Sequence, residues 1–492
     1  MERISADVVI VGAGNAALCA ALAARESGAE VLIIERAPEK SRGGNSFFSG
    51  GWMRFTFDSP SDVGSSIPEL ALDGKEDFDV IPYTKSNYFD EMAEITRFKG
   101  DPDLISVLVN NSRQTINWMH SKGIRFVWTF GKQTPKVNGR YQISSGNIAV
   151  TGGGAGLIDK LIEQAENSGV KFLYQSRVTK LLGDSGKKVT GVLILDSEGR
   201  EREIHSKAVV LASGGFSASA EKRARYLGKG WDLAKLRGTA FNTGDGMDMA
   251  LGFGAQPYGH WSGAHTVCWD ATSPRSGDRN SGNEFSRNAY PLGIMVNKQA
   301  ERFLDEGFDF NSSTYGIYGS NVIEQPDALA FQIFDSKVTD LLDANYNGRQ
   351  VSKETANTIE ELAKKLGISP QALQKTIKNF NDSVDQNTQF DPNARDGKAT
   401  IGLTPKKSNW ANTIDVAPFH AFPVTAGVTF TLGGIRVNEQ AEVLDVSETP
   451  IKGLYAAGEM VGGIFYYTSP SGGGLMAGSV FGKIAGENAV RK

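Results

Sequence analysis

The chain has 492 residues, 40% hydrophobic and 22% charged, with a formal net charge of −4. That length holds two or three domains and a large core, and the mild acidity argues against a nucleic-acid partner. Cys19 and Cys268 are the only cysteines, so no disulfide framework, no cysteine-held haem or iron–sulfur cluster and no metal site is expected, and a reducing cytoplasm is the default setting.

The stretch ADVVIVGAGNAALCAALAARESGAEVLIIE, from Ala6 to Glu35, reads as strand, glycine turn, helix and strand. Asp7 to Val11 is a short β-branched run. Asn15 to Ser27 is rich in Ala and Leu without Pro, and Gly28 suits the position just past a helix end. The turn follows G-x-G-x-x-A, with Gly12 for the tight turn, Gly14 for close approach to a pyrophosphate and Ala17 for close helix–strand packing. The helix N-terminus offers free N–H groups to phosphates, and Glu35 closes the second strand where a carboxylate would bind a ribose 2′-OH. Strand before, helix after and acid in place together predict a dinucleotide site. The run is apolar enough to imitate a signal peptide or a membrane span, but Asp7, Asn15 and the two glycines interrupt it, so neither is expected.

Next comes RAPEKSRGGNSFFSGG, where Arg42 to Ser46 reads as a loop whose small residues let the chain pass beside a large flat ligand. Residues 55–90 read as a polar, irregular excursion. Asp101 to Ser121 reads as a helix with Leu104, Leu108, Ile116 and Met119 on one side. From Thr151 the chain again reads glycine loop, helix and strand. Lys188 to Ile204 reads as a β-hairpin turning at Ser197-Glu198-Gly199, and leads into a buried strand, Ala208–Ala212, ending in Gly214-Gly215.

From about Pro257 to Thr425 the texture changes, with more aromatic residues, Asn and Ser. Two helices stand out there: one capped by Thr358, with Glu361 completing a capping box, and one capped by Ser369 with Pro370 at its first position. After that, GLYAAGEMVGG reads as a strand into a loop bearing Glu459, and SGGGLMAGSVFGKIAGENAV as a glycine loop and helix. These units predict an α/β protein. A Rossmann-like cofactor domain built from both chain ends, residues 1–256 and 426–492, is expected, with an inserted α+β substrate or cap domain at 257–425.

VVIVGAGNAALCAALAA…VLIIE, RGGNS, VVLASGGF and GLYAAGE…GGGLMAGSVFGKIAGENA together resemble the FAD-binding fumarate reductase/succinate dehydrogenase flavoprotein superfamily. Within it, RGGNS, RFLDEG, PVTAGVTFTLGG and FYYTSPSGGGLMAGSVFGKIAGE resemble the tricarballylate dehydrogenase branch. The resemblance implies FAD of the glutathione-reductase type of fold. Gly12, Gly14, Asn15, Ala16 and Ala17 would take the pyrophosphate, with Glu35 and Arg36 at the adenosine ribose. Arg42, Gly43, Gly44, Asn45 and Ser46, followed by Gly50 and Gly51, would run beside the flavin. Val178, Ser213, Gly214 and Gly458 would complete the site with Glu459 on the ribitol. Ser471, Gly474 and Leu475 would bring a helix N-terminus to the flavin ring. Members that attach FAD covalently use a His where this chain has Arg42-Gly43-Gly44-Asn45, so non-covalent FAD is expected.

The resemblance further implies chemistry at a carbon–carbon single or double bond, by hydride transfer to or from flavin N5 with a proton moved at the adjacent carbon. His265, in Gly263-Ala264-His265-Thr266, matches a substrate-binding His of soluble fumarate reductases. Three cations of that group have no counterpart: no His within Thr429–Gly434, no Arg within Thr468–Gly472, and none shortly after Arg302-Phe303-Leu304-Asp305-Glu306. Arg302 itself remains as a candidate carboxylate ligand, with an ion pair to Asp305 or Glu306 as the structural alternative. Aromatic residues, Phe465, Tyr466, Tyr467, Tyr315 and Tyr318, stand in their place. Tyr466 or Tyr467 is a candidate acid/base, since 3-ketosteroid dehydrogenases use a tyrosine in a stretch similar to Tyr467-Thr-Ser-Pro-Ser. Three functions follow as expectations: a dehydrogenase of a small polycarboxylate, an enoate reductase or ketosteroid-type dehydrogenase, and an idle flavin electron carrier. With no second dinucleotide fingerprint, electrons are expected to pass to an external protein, quinone or oxygen.

Overall fold

The computed structural model describes residues 4–72, 77–129, 134–348 and 350–491. Its main sheet has a parallel centre, ordered Lys171–Leu173, Val31–Ile34, Ile4–Val11, Glu201–Leu211, Pro450–Ala456. The strand Lys188–Leu195 pairs antiparallel with Glu201–Leu211, so the expected hairpin forms, and Arg177–Asp184 extends the sheet beyond it. Val8, Val9, Ile10 and Ile33 are wholly buried, as a parallel sheet covered on both faces demands. Two strands of this Rossmann-like sheet, Pro450–Ala456 and Glu442–Leu444 beside it, therefore come from the end of the chain and the rest from its first half.

Two helices lock the ends together. Asn15–Glu26 and Gly473–Asn488 pack face to face along a seam of small residues. A Cβ on Gly482 would stand 2.4 Å from the Ala16 carbonyl oxygen, and one on Gly486 would stand 2.1 Å from that of Ala20. The periodic glycines late in the chain thus serve helix contact. Asn15 Nδ2 crosses the seam to the Leu475 carbonyl at 2.9 Å and to Ser479 Oγ at 3.0 Å.

A second, six-stranded sheet carries the inserted region. Its longest strand, Phe419–Ile435, pairs antiparallel with Pro257–Asp270, placing His265 opposite Phe430. It also receives Lys235–Leu236 in parallel, so residues before 257 join this sheet. The expected division at 425/426 falls inside this strand. The strand is continuous because its first half faces the insert's core and its second half runs on toward Glu459, which accepts from Thr431.

The helix Pro102–Ser121 forms and is capped by Asp101; Thr358 and Ser369 cap Ile359–Leu366 and Pro370–Ser383 as expected, although only the Thr358 half of the expected capping box with Glu361 is made. The described residues between 55 and 90 are more regular than their composition suggests. They form the helix Pro60–Ser66 capped by Ser59, the strand Phe78–Val80 and the start of Lys85–Ile95, which carries a capping box of Thr84 and Asn87. These elements are too short to show a period in sequence, and tertiary contacts hold them.

Candidate active site

One cavity of about 730 Å³ runs between the two sheets. At one end its wall is the N-terminal glycine turn. Gly12 has φ +106°, and a Cβ there would lie 2.5 Å from the Ala212 carbonyl oxygen. Only glycine fits that turn. At Gly14 an added Cβ would meet nothing nearer than Ser46 Oγ at 3.6 Å, so the wall is open to a ligand there. Gly14 caps its helix without a side-chain bond. The free N–H groups of the first turn therefore face the cavity as an anion cradle. Ser46 Oγ accepts from Asn15 N at 3.2 Å and pins the RGGNS loop to this turn.

Glu35 is buried at the edge of the same end. One carboxylate oxygen accepts from Ala37 N at 2.7 Å, and burial pushes the carboxyl above its usual range against that bond. Arg36 lines the cavity and donates to Asp245 Oδ2 at 3.1 Å. Ala16, Gly44, Asn45, Gly50, Val178, Ser213, Gly214, Gly458, Gly474 and Leu475 also line it. Glu459 is held on both oxygens: Oε1 accepts from Thr431 N at 2.7 Å, and Oε2 from Asn242 Nδ2 at 3.0 Å. Its burial raises the carboxyl's pKa while these bonds oppose the shift. Asn45 reaches the other way, accepting from Thr239 N at 3.0 Å and donating to the Thr429 carbonyl at 2.9 Å.

Five residues of the anticipated cofactor set lie behind the wall instead. Ala17 is fully buried under the glycine turn. Arg42 turns outward to Glu39 and Glu166. Gly43 packs on Ile158 and Gly51 on Gly153, each too close for a Cβ. Ser471 is buried with an unpartnered hydroxyl, and its carbonyl accepts from Arg54 Nε at 2.8 Å.

The far end of the cavity is built by the second sheet. His265 lies there, stacked on Phe430 with ring centres 5.0 Å apart and edge-on to Tyr315 at 5.0 Å. Burial, reinforced by the charge of Arg237, pushes its pKa down to about 3, so the ring is neutral at physiological pH. Its Nδ1 has no hydrogen-bond partner. Around it the wall carries Arg237, Asn283, Asn288 and Tyr315. Of these the sequence reading singled out only Tyr315. Arg237 sits in a stretch without motif character, and its importance becomes visible only when the short strand Lys235–Leu236 aligns beside Gly427 and Val428.

Three anticipated catalytic side chains are elsewhere. Arg302 is buried against Glu306, with Nε 3.0 Å from Oε1, and it also donates to the Pro405 carbonyl at 2.7 Å. The ion-pair alternative describes it, and it does not line the cavity. Tyr466 stacks on His260 at 5.4 Å, outside the cavity. Tyr467, 36% exposed, sits under Arg97 at 4.2 Å with φ +65°. The turn that presents Phe465 to the cavity directs the next two rings to the surface. Tyr318 is bonded to the Asp305 carbonyl, also away from the cavity.

The glycine turn, the uncapped helix end and the buried acid at the second strand define a dinucleotide-binding fold, and the residues of this cradle fit a flavin dinucleotide. The chain belongs to the family described as FAD binding domain, which matches residues 7–475. "Probable fumarate reductase Ifc3" of Shewanella frigidimarina is 30% identical over 98% of this chain and 74% of its own length. The NADH:acrylate oxidoreductase of Vibrio harveyi is 27% identical, and there the chain spans 98% of itself but only 50% of that relative. Among solved structures, the open conformation of a flavocytochrome c3 fumarate reductase superposes with a TM-score of 0.75 and 26% identity. That match covers 99% of this chain and 78% of the other. Among the described residues no helix is long and apolar enough to cross a membrane, and no cluster of metal-ligating side chains occurs.

Proposed function

We propose that this protein is an FAD-dependent oxidoreductase acting on a carbon–carbon bond of a small carboxylate, with tricarballylate-like polycarboxylates as the first candidates. The carrying observation is the continuity of the cavity: one space joins the phosphate cradle at Gly12–Asn15 to the polar wall of Arg237, His265 and Asn283. Relatives named for fumarate and acrylate support the same class of substrate. Residues 1–256 and 426–492 would carry the cofactor and 257–425 the lid over the substrate. Bound FAD would supply the hydride acceptor.

The chain's own residues would do the rest. Gly14 and Ala16, at the start of the helix Asn15–Glu26, would hold the phosphates by backbone N–H groups, with Gly12 shaping the turn while its own N–H donates to the Ile34 carbonyl at 2.8 Å, and Glu35 would hold the ribose. The helix end at Gly474 and Leu475 presents a positive pole to the middle of the cavity. The neutral ring of His265 can accept a proton, and a substrate carboxylate that neutralised Arg237 would remove one of the two causes holding its pKa low. Attachment of FAD would be non-covalent, since His265 is the one histidine among the residues lining the cavity and it is stacked on Phe430 in the second sheet. Electrons would be exchanged with an external protein, quinone or oxygen. A cytoplasmic setting suits the two free, buried thiols.

The test is anaerobic mixing of the FAD-loaded protein with tricarballylate, succinate or a 3-ketosteroid, following the oxidised flavin band near ~450 nm. Bleaching by a carboxylate is expected. Bleaching by the steroid alone would replace this reading by the steroid one. No bleaching, with no reoxidation of the reduced protein by enoates, would leave an electron carrier.

A further inference from the structure

Four arginines line the cavity, and three are compensated. Arg36 and Arg177 share Asp245, at 3.1 and 2.7 Å, and Arg54 meets Glu91. Arg237 is different. Its Nε donates to Asn283 Oδ1 at 2.7 Å, and one terminal nitrogen reaches Thr429 Oγ1 at 3.4 Å. None of the ion pairs among the described residues includes it, and the one titratable side chain acting on it is Tyr315. Its neighbour His265 is uncharged and so supplies no second cation.

The backbone under Arg237 is fixed. Its N–H donates to the Val428 carbonyl at 2.9 Å, and the next residue, Gly238, packs so closely on Asn45 that a Cβ would stand 2.2 Å from Oδ1. Asn283 occupies Nε and Thr429 holds one terminal nitrogen by a long bond, which leaves the other terminal nitrogen for a ligand in the cavity that Arg237 lines. A half-buried guanidinium, partly withdrawn from bulk water without a counter-charge, is unfavourable. An ionised carboxylate is the ligand that matches its fork and removes that cost. The phosphate cradle is at the opposite end of the cavity, so the nucleotide's own anions are held elsewhere.

We propose that Arg237 is the substrate anchor, gripping one ionised carboxylate, and that this single uncompensated cation makes the site selective for carboxylates over uncharged isosteres. The proposal rests on the reading of the cavity as an oxidoreductase site. One free cation implies one gripped carboxylate. The rest of the substrate then meets amides and hydroxyls: Asn288, whose Oδ1 is buried without a partner, with Ser286, Asn311 and Ser313.

The experiment is calorimetric titration of the FAD-loaded protein with succinate and with its uncharged diamide. Wild type is expected to prefer succinate roughly tenfold or more, the size of one charge-assisted hydrogen bond. Arg237→Gln should erase the preference, and Arg237→Lys should keep part of it. Asn283→Asp keeps Arg237 but gives it a carboxylate of its own. It should erase the preference while raising the melting temperature of the ligand-free holoprotein, which loss of structure would not do. Equal succinate affinity in wild type and Arg237→Gln, or no preference in wild type, overturns the anchor. So does a variant whose FAD retention falls while its succinate affinity stands, since Arg237 would then serve the flavin. If the preference holds but no carboxylate or enoate changes the flavin's redox state, the anchor stands and the proposed reaction fails. If carboxylates bleach Arg237→Gln with unchanged KM, the reaction stands and the anchor fails.

Discussion

The two ends of the cavity are built in opposite ways. The nucleotide end is centred on one contiguous stretch, Ala6 to Glu35, whose local turn geometry places the phosphate cradle and the acid, with Ser46, Val178 and Ser213 completing the wall. The substrate end is assembled from residues 237, 265, 283, 315 and 430, which lie far apart along the chain and meet only through the register of one long strand. The first end keeps its polar side chains bonded within the protein, Glu35 and Asn15 among them, and leaves only backbone N–H groups for the ligand. The second leaves Arg237 without a counter-charge and His265 Nδ1 without a partner. A cradle for a resident cofactor can be complete before the ligand arrives. A site for a passing substrate is complete only when the substrate is in it.

Breaking the nucleotide end should give the largest effect. Gly12→Val combines φ +106° with a Cβ 2.5 Å from the Ala212 carbonyl oxygen. It should destabilise by roughly 3 kcal/mol or more and abolish FAD retention, read as the flavin-to-protein absorbance ratio. A variant purified with full FAD would detach the cradle from this turn.

Arg302 tests whether a buried cation belongs to the substrate end merely because it is an arginine. Arg302→Met leaves Glu306 buried and unpaired, at a cost of about 3–5 kcal/mol, so the melting temperature should fall while KM holds. A raised KM with an unchanged melting temperature would bring Arg302 back to the substrate.

His265 sharpens the contrast through pH. Its pKa is about 3 in the fold against about 6.5 in the unfolded chain, so between these values the unfolded chain binds more protons. The stability it confers is full above about pH 6.5 and falls toward pH 3, by up to about 1.4 kcal/mol per pH unit. His265→Gln should lose that part of the acid sensitivity. Urea unfolding of both proteins at pH 7 and pH 4.5 measures it, and parallel slopes would contradict a neutral, buried ring.

The smallest effect is expected at the tyrosines. Tyr466→Phe and Tyr467→Phe should leave kcat within about twofold, because neither ring lines the cavity. A hundredfold loss in either would show that the surface turn folds inward during turnover.

The amino-acid sequence by itself determined the elements whose signals are local. The glycine turn, the acid closing the second strand, the capped helices and the strand–glycine–helix unit at the end of the chain are each written in one short run of residues. Each is a matter of backbone conformation, capping or periodicity. Tertiary structure decided which charged and aromatic side chains reach the cavity. Arg302 stands out in sequence within RFLDEG, and Arg237 does not. Glu306, four residues along the chain, claims the first, while the second reaches the cavity because Lys235–Leu236 aligns beside Val428. Tyr466 and Tyr467 follow Phe465 directly, yet one turn with φ +65° at Tyr467 separates them from it. Whether a side chain is a ligand or a brace depends on what lies across from it. Strand register and burial set that at a distance no local pattern spans.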